Sequence, residues 1–88
     1  MSGVRVLYLG RLQDLAGHPE SEFGSSSGDL DWPDFVAVLE DHVNLAIAEA
    51  ARDPQIKIAV NGKVQVDREG LIFRHGDEVA LLPPVSGG

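Results

Sequence analysis

The sequence predicts an α+β domain: a mixed sheet of four to five strands with one main helix packed on one face. Three observations lead there. Runs rich in β-formers lie near both ends of the chain, helical periodicity appears in a single long stretch in the middle, and Asn61-Gly62 separates two alternating runs. Strands gathered around one helix in 88 residues favour this class, and the length allows one domain with a modest core.

The elements follow in chain order. Val4-Arg5-Val6-Leu7-Tyr8-Leu9 is the first strand, ended by Gly10. Gln13-Asp14-Leu15-Ala16 makes a single helical turn, with Gly17 as its left-handed stop and Pro19 blocking continuation. Residues 20–23 carry one large apolar side chain and support at most a short edge strand. Gly24-Ser25-Ser26-Ser27-Gly28 is a water-facing loop. It lacks the lysine and the preceding strong strand that a phosphate-binding loop requires.

The main helix begins at Asp31, a good N-cap, with Pro33 in its first turn and Asp34 near its positive end. Phe35, Val38, Leu39, His42 or Val43, Ala46 and Ile47 recur at helical spacing, and Glu40, Asp41, Asn44 and Glu49 supply the wet side. The pattern fades by Arg52, and Pro54 forbids more helix. Residues 56–60 alternate with period two, Asn61-Gly62 forms a type I′ turn, and residues 63–66 return as the partner strand. A polar connection carrying Leu71-Ile72-Phe73 leads to the Gly76-Asp77 turn. The last strand, residues 78–82, is stopped by Pro83-Pro84.

Composition excludes several classes. Fourteen acidic against seven basic residues leave a formal charge of -7, which argues against a nucleic-acid surface and favours basic partner surfaces. The absence of cysteine removes a disulfide framework, a thiolate zinc site and a thiol nucleophile. No apolar run is long enough to span a membrane, and the opening run is too short for a signal-peptide core, so a cytoplasmic protein is expected. His18, His42 and His75 lack metal-ligand spacing, and no metal is expected. Asp77 and Glu78 would point to opposite faces of a strand, a poor acid–base pair. No Ser/His/Asp set can be assembled, so the chain has no catalytic machinery of its own.

One helix covers only one face of a sheet. Val4, Val6 and Tyr8 share a side of the first strand with Arg5, Leu7 and Leu9 on the other. The last strand splits into Val79 and Leu81 against Ala80 and Leu82. Both faces are thus substantially apolar. Either part of the uncovered face is a partner site, or the short helical turn and Leu71-Ile72-Phe73 fold over it.

The end of the sequence, Leu81-Leu82-Pro83-Pro84-Val85-Ser86-Gly87-Gly88, reads as a domain spanning residues 1–82 followed by an extended tail, residues 83–88. Two prolines stiffen its base, and six residues at ~3.1 Å each project roughly 19 Å. Gly87 and Gly88 lack Cβ, so their backbone can thread a narrow channel. The Gly88 α-carboxyl, with an ordinary pKa of about 3.5, is an anion at neutral pH and a poor electrophile. Activation by ATP on a partner enzyme would give an acyl-adenylate, open to attack by sulfur or by an amine.

Val6-Leu7-Tyr8, Gly10-Arg11-Leu12, Gly17, Val60-Asn61-Gly62, Gly76-Asp77-Glu78-Val79-Ala80 and Pro83-Pro84-Val85-Ser86-Gly87-Gly88 together resemble the small subunit of molybdopterin synthase (the MoaD family). The resemblance runs from end to end and is tightest over residues 76–88. It implies a ubiquitin-like β-grasp fold with the first and last strands parallel and adjacent. It implies that Gly88 is adenylated by an activating enzyme of the ubiquitin-E1-like type, which uses ATP, and is then converted to a thiocarboxylate. The tail would enter the large synthase subunit and give sulfur to cyclic pyranopterin monophosphate, two small subunits flanking a dimer of large ones. On this reading Gly88 bears the sulfur, Gly87 is its slender neighbour, Pro83, Pro84, Val85 and Ser86 line the inserted tail, and Leu81 and Leu82 pack against the partner. No cofactor is bound by the chain itself. Leucines stand at Leu9, Leu81 and Leu82, where aromatic residues are common in the family. The competing readings are a sulfur carrier for thiamine or tRNA thiolation, a protein modifier conjugated through Gly88, and a plain interaction module.

Overall fold

A computed structural model describes residues 3–24 and 29–84. Strand β1 (Val4–Tyr8) enters the centre of the sheet, and a tight turn at Gly10 leads into helix α1 (Leu12–Ala16), which Gly17 stops as expected. Strand β2 (Glu20–Phe23) returns antiparallel to β1 as an edge strand. Strand β3 (Leu30–Asp31) then leads into helix α2 (Trp32–His42), with helix α3 (Leu45–Arg52) behind it. Strands β4 (Lys57–Val60) and β5 (Lys63–Gln65) form the hairpin, β6 (Ile72–Phe73) pairs with β3, and β7 (Glu78–Leu82) closes the fold.

Among the described residues the main sheet has five strands in the order β2-β1-β7-β4-β5. The pair β1 and β7 is parallel, with Val6 beside Val79 and Tyr8 beside Leu81, and the other pairs are antiparallel. This mixed sheet with helices on one side is the β-grasp arrangement. The hairpin turn takes the mirror-image geometry expected of Asn-Gly, with Asn61 at φ 52° and Gly62 at φ 85°.

The expected single helix is two. Asp31 caps α2 through its side chain, Oδ1 accepting from the Asp34 N–H at 3.0 Å. Eleven residues later the helix ends, because Asn44 takes extended backbone angles and becomes the N-cap of α3. Its Oδ1 accepts from the Ile47 N–H at 2.8 Å, and its Nδ2 donates to the Leu15 carbonyl at 2.8 Å. One side chain thus starts a helix and ties it to the end of α1. The break also re-aims the apolar face. Trp32, Phe35, Val36 and Leu39 are buried from α2, and Ile47, Ala48 and Ala51 from α3, whereas His42 and Ala46 are exposed. An uninterrupted helix would have carried His42 and Ala46 on the seam.

The core lies between the helices and one sheet face. Val4, Val6, Tyr8, Ile58, Val79 and Leu81 project into it from the sheet. Phe73 enters from β6 and meets Phe35 at a ring-centroid distance of 4.3 Å. Leu12 and Ala16 of α1 belong to the same cluster. Both segments that could have covered the opposite face are therefore used on the helix side.

Arg68, in the connection between β5 and β6, closes the end of α3. Its guanidinium donates to the carbonyls of Ala51 at 2.6 Å and Asp53 at 2.8 Å, and also to that of Ile56. The Ala51 carbonyl belongs to the last turn of α3 and those of Asp53 and Ile56 lie beyond it, where no helical N–H is in place to meet them.

Candidate functional site

The uncovered sheet face can be read rung by rung from the strand register. The middle rung crosses all five strands: Glu20, Leu7, Ala80, Ala59 and Val64. On one side of it lies a polar rung of Glu22, Arg5 and Glu78, in which Arg5 and Glu78 pair at 3.4 Å. On the other side, toward the tail, Leu82 stands beside Lys57, with Leu9 just beyond the end of β1. Leu7, Ala80 and Leu82 are half-buried, while Leu9 is 37% and Val64 52% exposed. The face is therefore charged at the end away from the tail, while Leu82 and Leu9, with Lys57 beside Leu82, bring partly exposed apolar surface to the end where the tail departs. Exposed apolar surface with a polar rim is the composition of an interface.

Leu82 and Leu81 part company here. Leu82 sits on the open face. Leu81, expected to pack against a partner, is fully buried: its neighbours in register, Tyr8 and Ile58, face the helices, and adjacent strand residues point oppositely. Its part is to anchor the last strand from within.

The tail leaves from the centre of the sheet. β7 is held by β1 on one side and β4 on the other, and the Leu9 N–H donates to the Leu81 carbonyl at 3.3 Å. Pro83 is half-buried and Pro84 exposed. Val85, Ser86, Gly87 and Gly88 lie outside the described residues.

At the opposite end of β7, the hairpin turn and the Gly76-Asp77 turn are bolted together. Asn61 Nδ2 donates to Asp77 Oδ1 at 2.9 Å, Asn61 Oδ1 accepts from the Glu78 N–H at 3.0 Å, and the Asn61 N–H donates to the Glu78 carbonyl at 2.7 Å. The other Asp77 oxygen accepts from the Arg74 N–H at 2.8 Å. The sequence signals each turn separately but carries no sign of this link across 16 residues.

Among the described residues no three of His, Asp and Glu gather as a metal site would require, and no helix is long and apolar enough to cross a membrane. His18 and His42 lie against aromatic rings, of Tyr8 at 5.9 Å and Phe23 at 5.6 Å. Burial raises the pKa of the Tyr8 hydroxyl, opposed by its 2.9 Å hydrogen bond to Ser21. What the described site presents is partly apolar surface beside the end of β7, where Pro83 and Pro84 follow, an arrangement suited to docking.

Comparisons with known proteins agree with this geometry. The chain is 30% identical over 89 residues to a molybdopterin synthase sulfur carrier subunit from Chlamydomonas reinhardtii, covering 97% of this chain and 98% of that one. It is 28% identical to the subunit of that name from Drosophila yakuba, covering 97% and 90%. Among solved structures, SAMP1 from Haloferax volcanii superposes with a TM-score of 0.72 at 26% identity, over 98% of this chain and 99% of that one. Urm1 from Trypanosoma brucei does so at 0.70 and 17% identity, over 99% and 96%. The complex of subunits 1 and 2 of molybdopterin-converting factor from Helicobacter pylori 26695 matches at 0.62 and 22%, over 97% and 97%. The last two bear on the fold alone. The ThiS family model matches residues 6–88, nearly the whole length, and the chain belongs to the ThiS family.

Proposed function

We propose that this chain is the sulfur-carrying subunit of molybdopterin synthase. The observation that carries the reading is the placement of the open face: its partly apolar end adjoins the strand from which the tail departs, so one partner can grip the body and receive the tail. Residues 1–82 form the docking body and residues 83–88 the delivered segment. The similarity to two sulfur carrier subunits supports sulfur as the cargo.

In the proposed cycle an E1-like activating enzyme binds ATP, and the Gly88 carboxylate attacks its α-phosphorus with loss of pyrophosphate. A sulfur nucleophile then displaces AMP from the acyl-adenylate, leaving a thiocarboxylate. The carrier moves to the large synthase subunit in the cytoplasm, where Gly87 lets the terminus reach cyclic pyranopterin monophosphate and Pro83, Pro84, Val85 and Ser86 line the path. The chain binds no cofactor of its own, and ATP serves only the activating enzyme.

A second reading, a protein modifier joined to lysines through Gly88, is favoured by the likeness to the small archaeal modifier of Haloferax volcanii. Intact mass after incubation with an activating enzyme, ATP and a sulfur source separates the two. A sulfur-for-oxygen mass gain on the free chain supports the carrier. Lysine conjugates support the modifier, and an unchanged mass overturns both.

A further inference from the structure

We infer that Gly10 sets the direction in which the tail leaves the body, by giving the Pro83 ring a seat that a Cβ would crowd. The inference rests on the proposed role of the tail. Gly10 follows β1 at φ 57°, a left-handed conformation that L side chains rarely adopt, and its carbonyl accepts from the Gln13 N–H at 3.1 Å. A Cβ built on it would lie 3.0 Å from Pro83 Cγ and 3.9 Å from Pro83 Cδ. The first distance is well inside the ordinary carbon–carbon contact of about 3.5–4.0 Å.

The nature of the neighbour decides the consequence. A long flexible side chain would swing aside at little cost, but Pro83 has its φ locked by the ring. Its ring can yield only by a change of pucker at Cγ or by a shift of the backbone that carries it. On one side of that backbone is Leu82, fixed in the sheet beside Lys57, and on the other is the tail. A backbone shift at Pro83 is passed outward, into the segment that must meet a partner's channel, because Leu82 is held in the sheet. Gly10 is thus a positioning residue that acts through Pro83.

Other glycines of this fold provide the control. Gly17 has a more positive φ, 87°, but a Cβ there would meet nothing within 4 Å. Gly17→Ala thus incurs the same kind of backbone penalty without touching the tail. Pro83→Ala removes the two ring atoms that Gly10 faces.

The test measures adenylation of the full chain by an activating enzyme with ATP, for wild type, Gly10→Ala, Gly17→Ala, Pro83→Ala and Gly10→Ala/Pro83→Ala. Gly10→Ala should raise KM by about tenfold or more with kcat within about twofold, since a misdirected tail weakens productive docking. Gly17→Ala should match wild type, and the double variant should return to the KM of Pro83→Ala. An equal loss in Gly17→Ala, a double variant as impaired as Gly10→Ala, or an unaffected Gly10→Ala would overturn the inference. A wild-type chain that is never adenylated overturns the functional reading instead. The structural half is then judged by residual dipolar couplings of the Pro83 and Pro84 Cα–Hα bonds. They should change in Gly10→Ala while the β7 amides keep theirs, and unchanged couplings overturn the inference.

Discussion

Asn61 and Asp77 join two turns through a 2.9 Å hydrogen bond between side chains, and Asn61 at φ 52° is the described non-glycine residue with a left-handed backbone. The residue is chosen twice over: asparagine tolerates that conformation, and its amide reaches the second turn. Asn61→Gly keeps the turn and loses the bridge, whereas Asn61→Asp sets a second carboxylate against Asp77. We expect urea denaturation to show a loss of about 1 kcal/mol for Asn61→Gly and more for Asn61→Asp at neutral pH. Midpoints equal to wild type for both would show that the bridge contributes nothing.

Arg68 should behave as a helix cap supplied from a distant loop. Its planar fork serves carbonyls on both sides of the α3 terminus, which a lysine ammonium cannot match. Arg68→Ala is expected to cost about 1–3 kcal/mol, with Arg68→Lys recovering at most part of it. Hydrogen exchange should quicken at the Asp53 and Ile56 amides, which close the turn after α3, before the sheet is affected. Uniform acceleration across the sheet would contradict a local cap.

Tyr8 links stability to alkaline pH. Its folded pKa lies above its ordinary value of 10.0 because burial penalises the phenolate. The folded state therefore holds a proton that the unfolded chain gives up. This contribution is fully present below pH 10 and is lost as pH rises from there through the folded pKa. Thermal midpoints should fall above pH 10 in wild type and fall less steeply in Tyr8→Phe, after allowance for the lost bond to Ser21. Parallel profiles would exclude Tyr8 as the cause.

Leu9 and Val64 test the open face independently of the tail. Both are substantially exposed, so Leu9→Ser and Val64→Ser should leave the fold within about 1 kcal/mol of wild type. Binding to a large synthase subunit, measured by calorimetry, should weaken about tenfold or more for at least Leu9→Ser, which lies nearest the tail. Wild-type affinity in both variants would move the docking surface elsewhere.

What could be read from the sequence was local. The Asp31 cap, the Asn61-Gly62 turn, the Gly17 stop and the alternation of β1 and β7 each depend on residues within a few positions of one another. Contacts between segments far apart were legible only where the family resemblance supplied them, as for the parallel pairing of β1 with β7. Asn44 looked like a wet helical position because its second partner, the Leu15 carbonyl, is 29 residues away. Arg68 went unremarked within a polar connection, and Gly10 looked like a strand stop, since α3 and Pro83 are distant from them in the chain. Leu81 was misplaced for another reason. Two adjacent leucines look alike in composition, and only the register with Tyr8 and Ile58 sends one inward and the other out.

The parallel pairing of β1 with β7 also sets a timetable. β7 fills the gap between β1 and β4, so a nascent chain lacking it has two strands with no common neighbour and a core open along its middle. Closure waits for contacts between segments separated by most of the domain, the slow kind of folding step. Because residues 83 and 84 directly follow β7, the surface around them exists only once that last strand has closed the sheet: completion of the body comes before anything that requires both.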